Sequence, residues 1–123
     1  MQLRAIDHIN ISTPRLAETR DFFMSVLGLT EGFRPDFGVP GHWLYAGDRA
    51  IVHLVGTTES TTPSKGGALD HFAFQISDYD AMVATLDKHG VSYAPLDVPG
   101  TAIRQLFIRD PNGVQVELNY RPA

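Results

Sequence analysis

A four-residue motif occurs twice in this chain, at Ala5-Ile6-Asp7-His8 and again 63 positions later at Ala68-Leu69-Asp70-His71. A second pairing fits the same frame, because Ile51-Val52-His53-Leu54 aligns with Gln115-Val116-Glu117-Leu118 at an offset of 64. Both offsets are about half of the 123 residues, which indicates a duplicated module. The equivalent positions hold three histidines and one glutamate, and these side chains can bind a divalent metal. The repeat therefore predicts a metal site built by internal pseudo-symmetry.

Hydrophobic periodicity predicts the same plan in both halves, a strand and a helix followed by three strands. We place the first module at residues 1–56, a linker rich in Thr, Ser, Gly and Pro at 57–66, and the second module at 67–123. The linker is a candidate mobile flap. The predicted helices are 16–27 and 79–89, and the predicted strands are 3–12, 30–34, 43–46, 50–55, 68–76, 91–95, 103–109 and 114–120.

The four candidate ligands share one parity along their strands. Apolar residues flank each of them, and side chains alternate across a strand. One sheet face is therefore expected to pack against the helices. The opposite face is expected to present the candidate metal ligands His8, His53, His71 and Glu117, and a twisted sheet from each half could place all four in one cup.

Composition excludes several classes of function and partner. The net charge is −4 and no basic cluster appears, so we expect no nucleic-acid partner. The absence of cysteine leaves only nitrogen and oxygen donors for a metal, which suit Zn²⁺, Fe²⁺, Mn²⁺, Ni²⁺ or Co²⁺. No apolar run is long enough for a signal peptide or a membrane span, so we expect a cytoplasmic protein without a membrane partner.

Several other side chains are candidates with competing interpretations. Trp43 and Tyr45 share a parity and could line a substrate pocket or belong to the core. Arg34 and Arg104 could pair with an anionic substrate, or be solvated surface arginines.

Four other polar residues are interpreted as structural. Asp7 and Asp70 could orient the neighbouring histidines. A structural hydrogen bond is favoured for both, because adjacent strand residues face opposite ways. His42 is interpreted as an exposed loop residue, and His89 as a cation at the C-terminus of a helix.

The motifs together resemble the vicinal oxygen chelate superfamily, which includes glyoxalase I, bleomycin-resistance proteins and extradiol dioxygenases. The segments that carry this resemblance are Ile6-Asp7-His8-Ile9, Phe22-Phe23 to Leu27-Gly28-Leu29, Asp70-His71-Phe72-Ala73-Phe74, and residues 109–118 with the turn Asp110-Pro111-Asn112-Gly113. The resemblance implies an α+β fold in which two βαβββ modules form an open, cup-shaped mixed sheet around one metal. It also implies a homodimer, in some members with swapped modules.

The same resemblance implies roles for individual residues. His8, His71 and Glu117 match the common ligand positions, and His53 matches the fourth, where glyoxalase I typically has a glutamate. That departure weakens the assignment to the glyoxalase I reaction, although Glu117 remains a candidate catalytic base.

Three functions follow as expectations. The first is a metal-dependent lyase or isomerase of glyoxalase type that binds adjacent oxygens of a small substrate. The second is an Fe²⁺ extradiol dioxygenase, and the third is a metal-free protein that sequesters an antibiotic. A fosfomycin-type transferase stays open, but no loop motif selects it.

Overall fold

The computed structural model describes residues 1–123 and divides into two units, Met1–Thr61 and Thr62–Ala123. Each unit contains one four-stranded sheet and one main helix, and the two sheets have equivalent strand orders. The predicted α+β class and the duplicated βαβββ plan are therefore confirmed. No helix combines the length and apolar character needed to cross a membrane.

The first unit consists of β1 (Ile9–Thr13), α1 (Leu16–Asp21), β2 (Thr30–Gly32), β3 (Gly41–Ala46) and β4 (Arg49–Gly56). A π-helical turn over Phe22–Val26 extends α1, so the helical segment ends close to the predicted Leu27. The strand order is β1-β4-β3-β2, with β1 parallel to β4 and the other pairs antiparallel. The buried core consists of Ile11, Phe23, Val26, Leu29, Leu44, Val52 and Leu54.

The second unit repeats this order with β5 (His71–Ile76), α2 (Tyr79–Lys88), β6 (Ala94–Asp97), β7 (Arg104–Arg109) and β8 (Gln115–Tyr120). Its sheet order is β5-β8-β7-β6, with β5 parallel to β8. Asp78 caps α2 by accepting a hydrogen bond from the Ala81 amide at 3.0 Å. The buried core consists of Tyr79, Leu86, Leu106, Ile108, Val116 and Leu118.

Both leading strands are shorter than predicted. β1 begins at Ile9, because its pairing with β4 starts at the Ile9–Val52 contact and the preceding residues have no partner strand. β5 likewise begins at His71, which pairs with Gln115. Asp7 and Asp70 therefore precede their strands, which changes how their side chains are directed.

The predicted linker, residues 57–66, is divided between the two units. The boundary between the units falls at Thr61–Thr62, and residues beyond it are fastened within the second unit. The Ser64 amide donates to the Gly113 carbonyl at 3.0 Å, and the Gly67 amide donates to the Ser64 carbonyl at 2.9 Å. The candidate flap is thus anchored over residues 64–67.

Candidate metal-binding residues

His53, His71 and Glu117 lie on the sheet faces opposite the core, and His8 lies directly before β1. His53 on β4 pairs with Trp43 on β3, while the alternate residues Val52 and Leu54 are fully buried. Glu117 on β8 pairs with Phe107 on β7, between the buried Val116 and Leu118. The parity predicted from the sequence is therefore present on both sheets.

Each repeated histidine is hydrogen-bonded to the aspartate before it. The Nδ1 atom of His8 lies 2.7 Å from an Asp7 carboxylate oxygen, and Nδ1 of His71 lies 2.8 Å from Asp70. The sequence favours a structural hydrogen bond elsewhere for both aspartates over a contact with the adjacent histidine, because adjacent residues of a strand point to opposite faces. That reasoning does not apply here, because the aspartates precede the strands and their side chains fold back onto the rings.

These pairs fix which imidazole nitrogen is available. The hydrogen bond from His8 lowers the pKa of Asp7, and the Gly66 amide together with His71 lowers the pKa of Asp70. Ionised carboxylates only accept hydrogen bonds, so Nδ1 of each ring carries the proton. In a neutral ring the Nε2 lone pair is then available, as in the carboxylate–histidine arrangement common at metal sites.

His53 is held in a ring stack. Its imidazole lies 3.7 Å from the His8 ring at an interplanar angle of 11°, and 4.1 Å from the Trp43 ring at 13°. Its Nε2 atom donates to the Ala50 carbonyl at 3.1 Å, which leaves the Nδ1 lone pair of the neutral ring free. Burial, and then repulsion by the His8 ring in its protonated form, lower the pKa of His53 and favour its neutral ring.

The stack limits what His8 and His53 can bind together. A metal ion lies in the plane of the imidazole that ligates it, and two nearly parallel planes 3.7 Å apart share no such position. In this arrangement the two rings do not bind the same ion. Ligation by both would require one ring to turn out of the stack.

The second unit has a pair that fits one ion more closely. Nε2 of His71 lies 3.6 Å from a carboxylate oxygen of Glu117, which is only 7% exposed. Two donors at about 2.1 Å from a tetrahedral metal are about 3.4 Å apart. The nitrogen and carboxylate donors of this pair thus match the donor types and spacing that a divalent ion needs.

Within each unit the candidates come together as pairs. Neither unit contains a group of three or more His, Asp or Glu side chains that could hold a metal. The first contributes His8 and His53, and the second contributes His71 and Glu117.

A cleft of about 580 Å³ opens beside the stack in the first unit. Trp43, a candidate substrate-pocket residue, lines this cleft. The cleft also involves residues that we did not identify from the sequence: Phe37, Asp48, Arg49 and Ala50. In the sequence, the Gly47-Asp48 dipeptide indicates a turn at the polar part of this wall.

Tyr45 and Arg34 are engaged within the first unit. Tyr45 donates its hydroxyl to the Phe33 carbonyl at 2.6 Å, and its ring covers Gly32. The Arg34 guanidinium donates to the Val39 carbonyl at 3.1 Å and lies 4.9 Å from the centre of the Phe37 ring. Both side chains therefore shape the loop beside the cleft.

Arg104 lies on the other side of its sheet. Its guanidinium stacks 3.7 Å from the centre of the Tyr79 ring on α2, and Nε lies 3.6 Å from Asp97. Its strand partner is Tyr120, three residues from Glu117 and of opposite parity. The structure does not bring Arg104 to the ligand face.

His42 differs from its predicted place in an exposed loop. It belongs to β3, is half-buried, and pairs with the Glu31 carboxylate. The strand extends to Gly41 because Gly41 pairs with Val55, so His42 gains a place in the sheet.

Comparisons with known proteins agree with this architecture. Residues 5–118 match the model of the glyoxalase/bleomycin resistance protein/dioxygenase superfamily. Glyoxylase I 4 of Arabidopsis thaliana is 26% identical over 125 aligned positions, which cover 96% of this chain and 71% of that protein.

Two solved structures share the fold. A putative glyoxalase family protein from Bacillus anthracis has a TM-score of 0.81 and 22% identity, with 99% of this chain and 98% of that chain covered. The fosfomycin resistance protein FosX of Listeria monocytogenes has a TM-score of 0.74 and 15% identity, with 98% and 96% covered. The family match spans nearly the whole chain and agrees with the paired modules, so the chain belongs to the glyoxalase/bleomycin resistance protein/dioxygenase superfamily.

Proposed function

We propose that the chain is a metal-dependent enzyme of glyoxalase type, a lyase or isomerase, acting on a small substrate with two adjacent oxygens. The observation that carries the proposal is the duplicated Asp–His pair. In both units an aspartate holds Nδ1 and leaves Nε2 free. A purely structural histidine has no need for this orientation in both copies.

The proposed ligands are His8, His71 and Glu117, with His53 as the fourth candidate if its ring leaves the stack. A bound Zn²⁺, Fe²⁺, Mn²⁺, Ni²⁺ or Co²⁺ supplies Lewis acidity toward substrate oxygens. Glu117 is the proposed catalytic base, because its buried carboxylate can accept a proton from a substrate carbon.

The cleft of the first unit supplies the proposed substrate contacts. Trp43 offers an apolar wall, and Tyr45 fixes the loop that carries Phe37. Arg34 supplies positive charge beside that wall, which favours a substrate with an anionic group. Arg104, on the opposite sheet face, is not part of this proposal.

A dioxygenase is the second candidate, and the ring stack favours it. With His53 held against Trp43, the remaining ligands are two histidines and one carboxylate, the set typical of Fe²⁺ oxygenases. His53 would then be a neutral acid–base group beside the substrate.

One experiment separates these functions. The metal-free protein is loaded with each of the five metals and assayed against α-hydroxyketones for isomerisation and against catechols for oxygen uptake. We expect metal-dependent isomerisation that His71→Ala abolishes. The matched control is His89→Ala, an exposed histidine at the end of α2. Oxygen uptake with Fe²⁺ alone would favour the dioxygenase, and tight binding of small aromatic compounds without any metal effect would favour a sequestering protein.

A homodimer is proposed as the working assembly. Mixed dimers of His8→Ala and Glu117→Ala chains test how its ligands are shared. If the ligands of one ion come from two chains, each mixed dimer retains one complete set and regains about half of the activity. If each chain supplies its own set, the mixture stays inactive.

A further inference from the structure

We infer that Gln115 is a positioning residue, which acts through Asp70 to hold the His71 ring with Nε2 directed at Glu117. This inference rests on the proposed metal-binding function of His71.

The Asp70 carboxylate is held by three donors. Gln115 Nε2 donates to one oxygen at 2.7 Å, and His71 Nδ1 lies 2.8 Å from the same oxygen. The Gly66 amide donates to the other oxygen at 2.7 Å. Both oxygens are therefore fixed, and the carboxylate cannot rotate with the imidazole.

Ser64 ties this cluster to the sheet and to the loop. Its hydroxyl donates to the backbone carbonyl of Asp70 at 2.7 Å and accepts from the backbone amide of Gln115 at 2.7 Å. Gln115 itself is buried at the first position of β8, where it pairs with His71. The side chain that holds Asp70 thus starts from a rigid point, two residues before Glu117.

The first unit lacks this arrangement, which provides an internal comparison. Asp7 hydrogen-bonds to His8, but its side chain is 87% exposed, whereas that of Asp70 is 42% exposed. The position equivalent to Gln115 is Ile51, which has no hydrogen-bonding side chain. Asp7 therefore lacks the side-chain donor that Gln115 provides to Asp70.

The consequence concerns the tautomer of His71. A neutral imidazole can carry its proton on either nitrogen, and the fixed carboxylate selects Nδ1. Without Gln115, Asp70 loses one of its two side-chain donors and can turn. The ring then populates other orientations and tautomers, and fewer molecules have the Nε2 lone pair facing Glu117.

The test uses the full chain with Gln115→Met, which removes the donor and keeps an unbranched stem. The matched control is Gln75→Met, an exposed glutamine on β5. Nitrogen chemical shifts of the His71 ring are measured in metal-free protein at a pH where the ring is neutral. Zn²⁺ affinity is measured by competition with a chromophoric chelator, and the free energy of unfolding by denaturant titration.

We expect a predominant Nδ1–H tautomer in the parent protein and the control, and a mixture in Gln115→Met. Zn²⁺ affinity should fall about 3- to 10-fold, somewhat less than the 10- to 100-fold typical for a direct partner of a ligand. If Gln115→Met does not fold, Gln115→Leu replaces it, because it also removes the side-chain donor to Asp70. Unchanged tautomer and affinity would overturn the inference, as would a loss of affinity fully explained by lower stability. If the tautomer shifts but no form of the protein binds Zn²⁺, the positioning role stands and the proposed metal function fails.

Discussion

Replacing Glu117 by glutamine tests the second-unit ligand pair with little disturbance of packing. The side chain is buried on β8 and its carboxylate faces His71 Nε2 at 3.6 Å. Glutamine keeps the shape and removes the charge, so the metal-free variant should unfold within about 2 °C of the parent. The difference should appear only when metal is added.

The size of that difference follows from linkage. A metal at 100 times its dissociation constant stabilises the fold by about 2.7 kcal/mol. For 123 residues the unfolding entropy is about 0.26 kcal/mol/K, so the parent should gain about 10 °C. If loss of the charged ligand weakens binding about 100-fold, the same metal concentration stabilises the variant by only about 0.4 kcal/mol, or about 2 °C.

The assay is thermal unfolding with and without each divalent metal, with Glu59→Gln as the control because Glu59 is exposed in the first unit. Equal metal-induced shifts in Glu117→Gln and the parent would refute ligation by Glu117. A large destabilisation of the metal-free variant would refute the claim that the carboxylate is held for function rather than for packing.

Three further outcomes are expected. We expect the metal stoichiometry, measured by elemental analysis, to be unchanged in His53→Phe, which preserves a stacked ring beside Trp43. A lower stoichiometry in both His53→Phe and His53→Ala would instead show that His53 is a ligand. Hydrogen bonds lower the folded-state pKa of Asp70, so its ionised carboxylate stabilises the fold above the unfolded pKa of about 3.9, and this contribution is lost as pH falls through the folded pKa. The free energy of unfolding of Asp70→Asn should therefore be lower than that of the parent at neutral pH and should converge with it in acid. Leu106→Ala, at a fully buried position of β7, should cost about 2–5 kcal/mol in the free energy of unfolding, and a cost below about 1 kcal/mol would contradict the described core.

The sequence was sufficient for the architecture because the repeat and the side-chain alternation are both local signals. The offset between His8 and His71 predicted two equivalent modules, and apolar neighbours such as Val52 and Val116 predicted which sheet face is buried. Strand pairing in both sheets agrees with these predictions.

The sequence was insufficient where a side chain's direction depends on where a strand begins. Asp7 and Asp70 were treated as strand residues, and their contacts with the histidines became visible only because β1 and β5 start after them. The Gln115–Asp70 contact joins residues 45 positions apart, so no local pattern could reveal it. Arg104 has no neighbouring signal that distinguishes a substrate contact from stacking on Tyr79.

We propose that the duplicated histidines and Glu117 bind a divalent metal. Elemental analysis of the purified chain, after loading with Zn²⁺, Fe²⁺, Mn²⁺, Ni²⁺ or Co²⁺ and removal of the excess, tests it most directly. We expect about one divalent ion per chain, lost in His71→Ala and retained in His89→Ala. Failure of all five metals to bind stoichiometrically to the parent protein would contradict it.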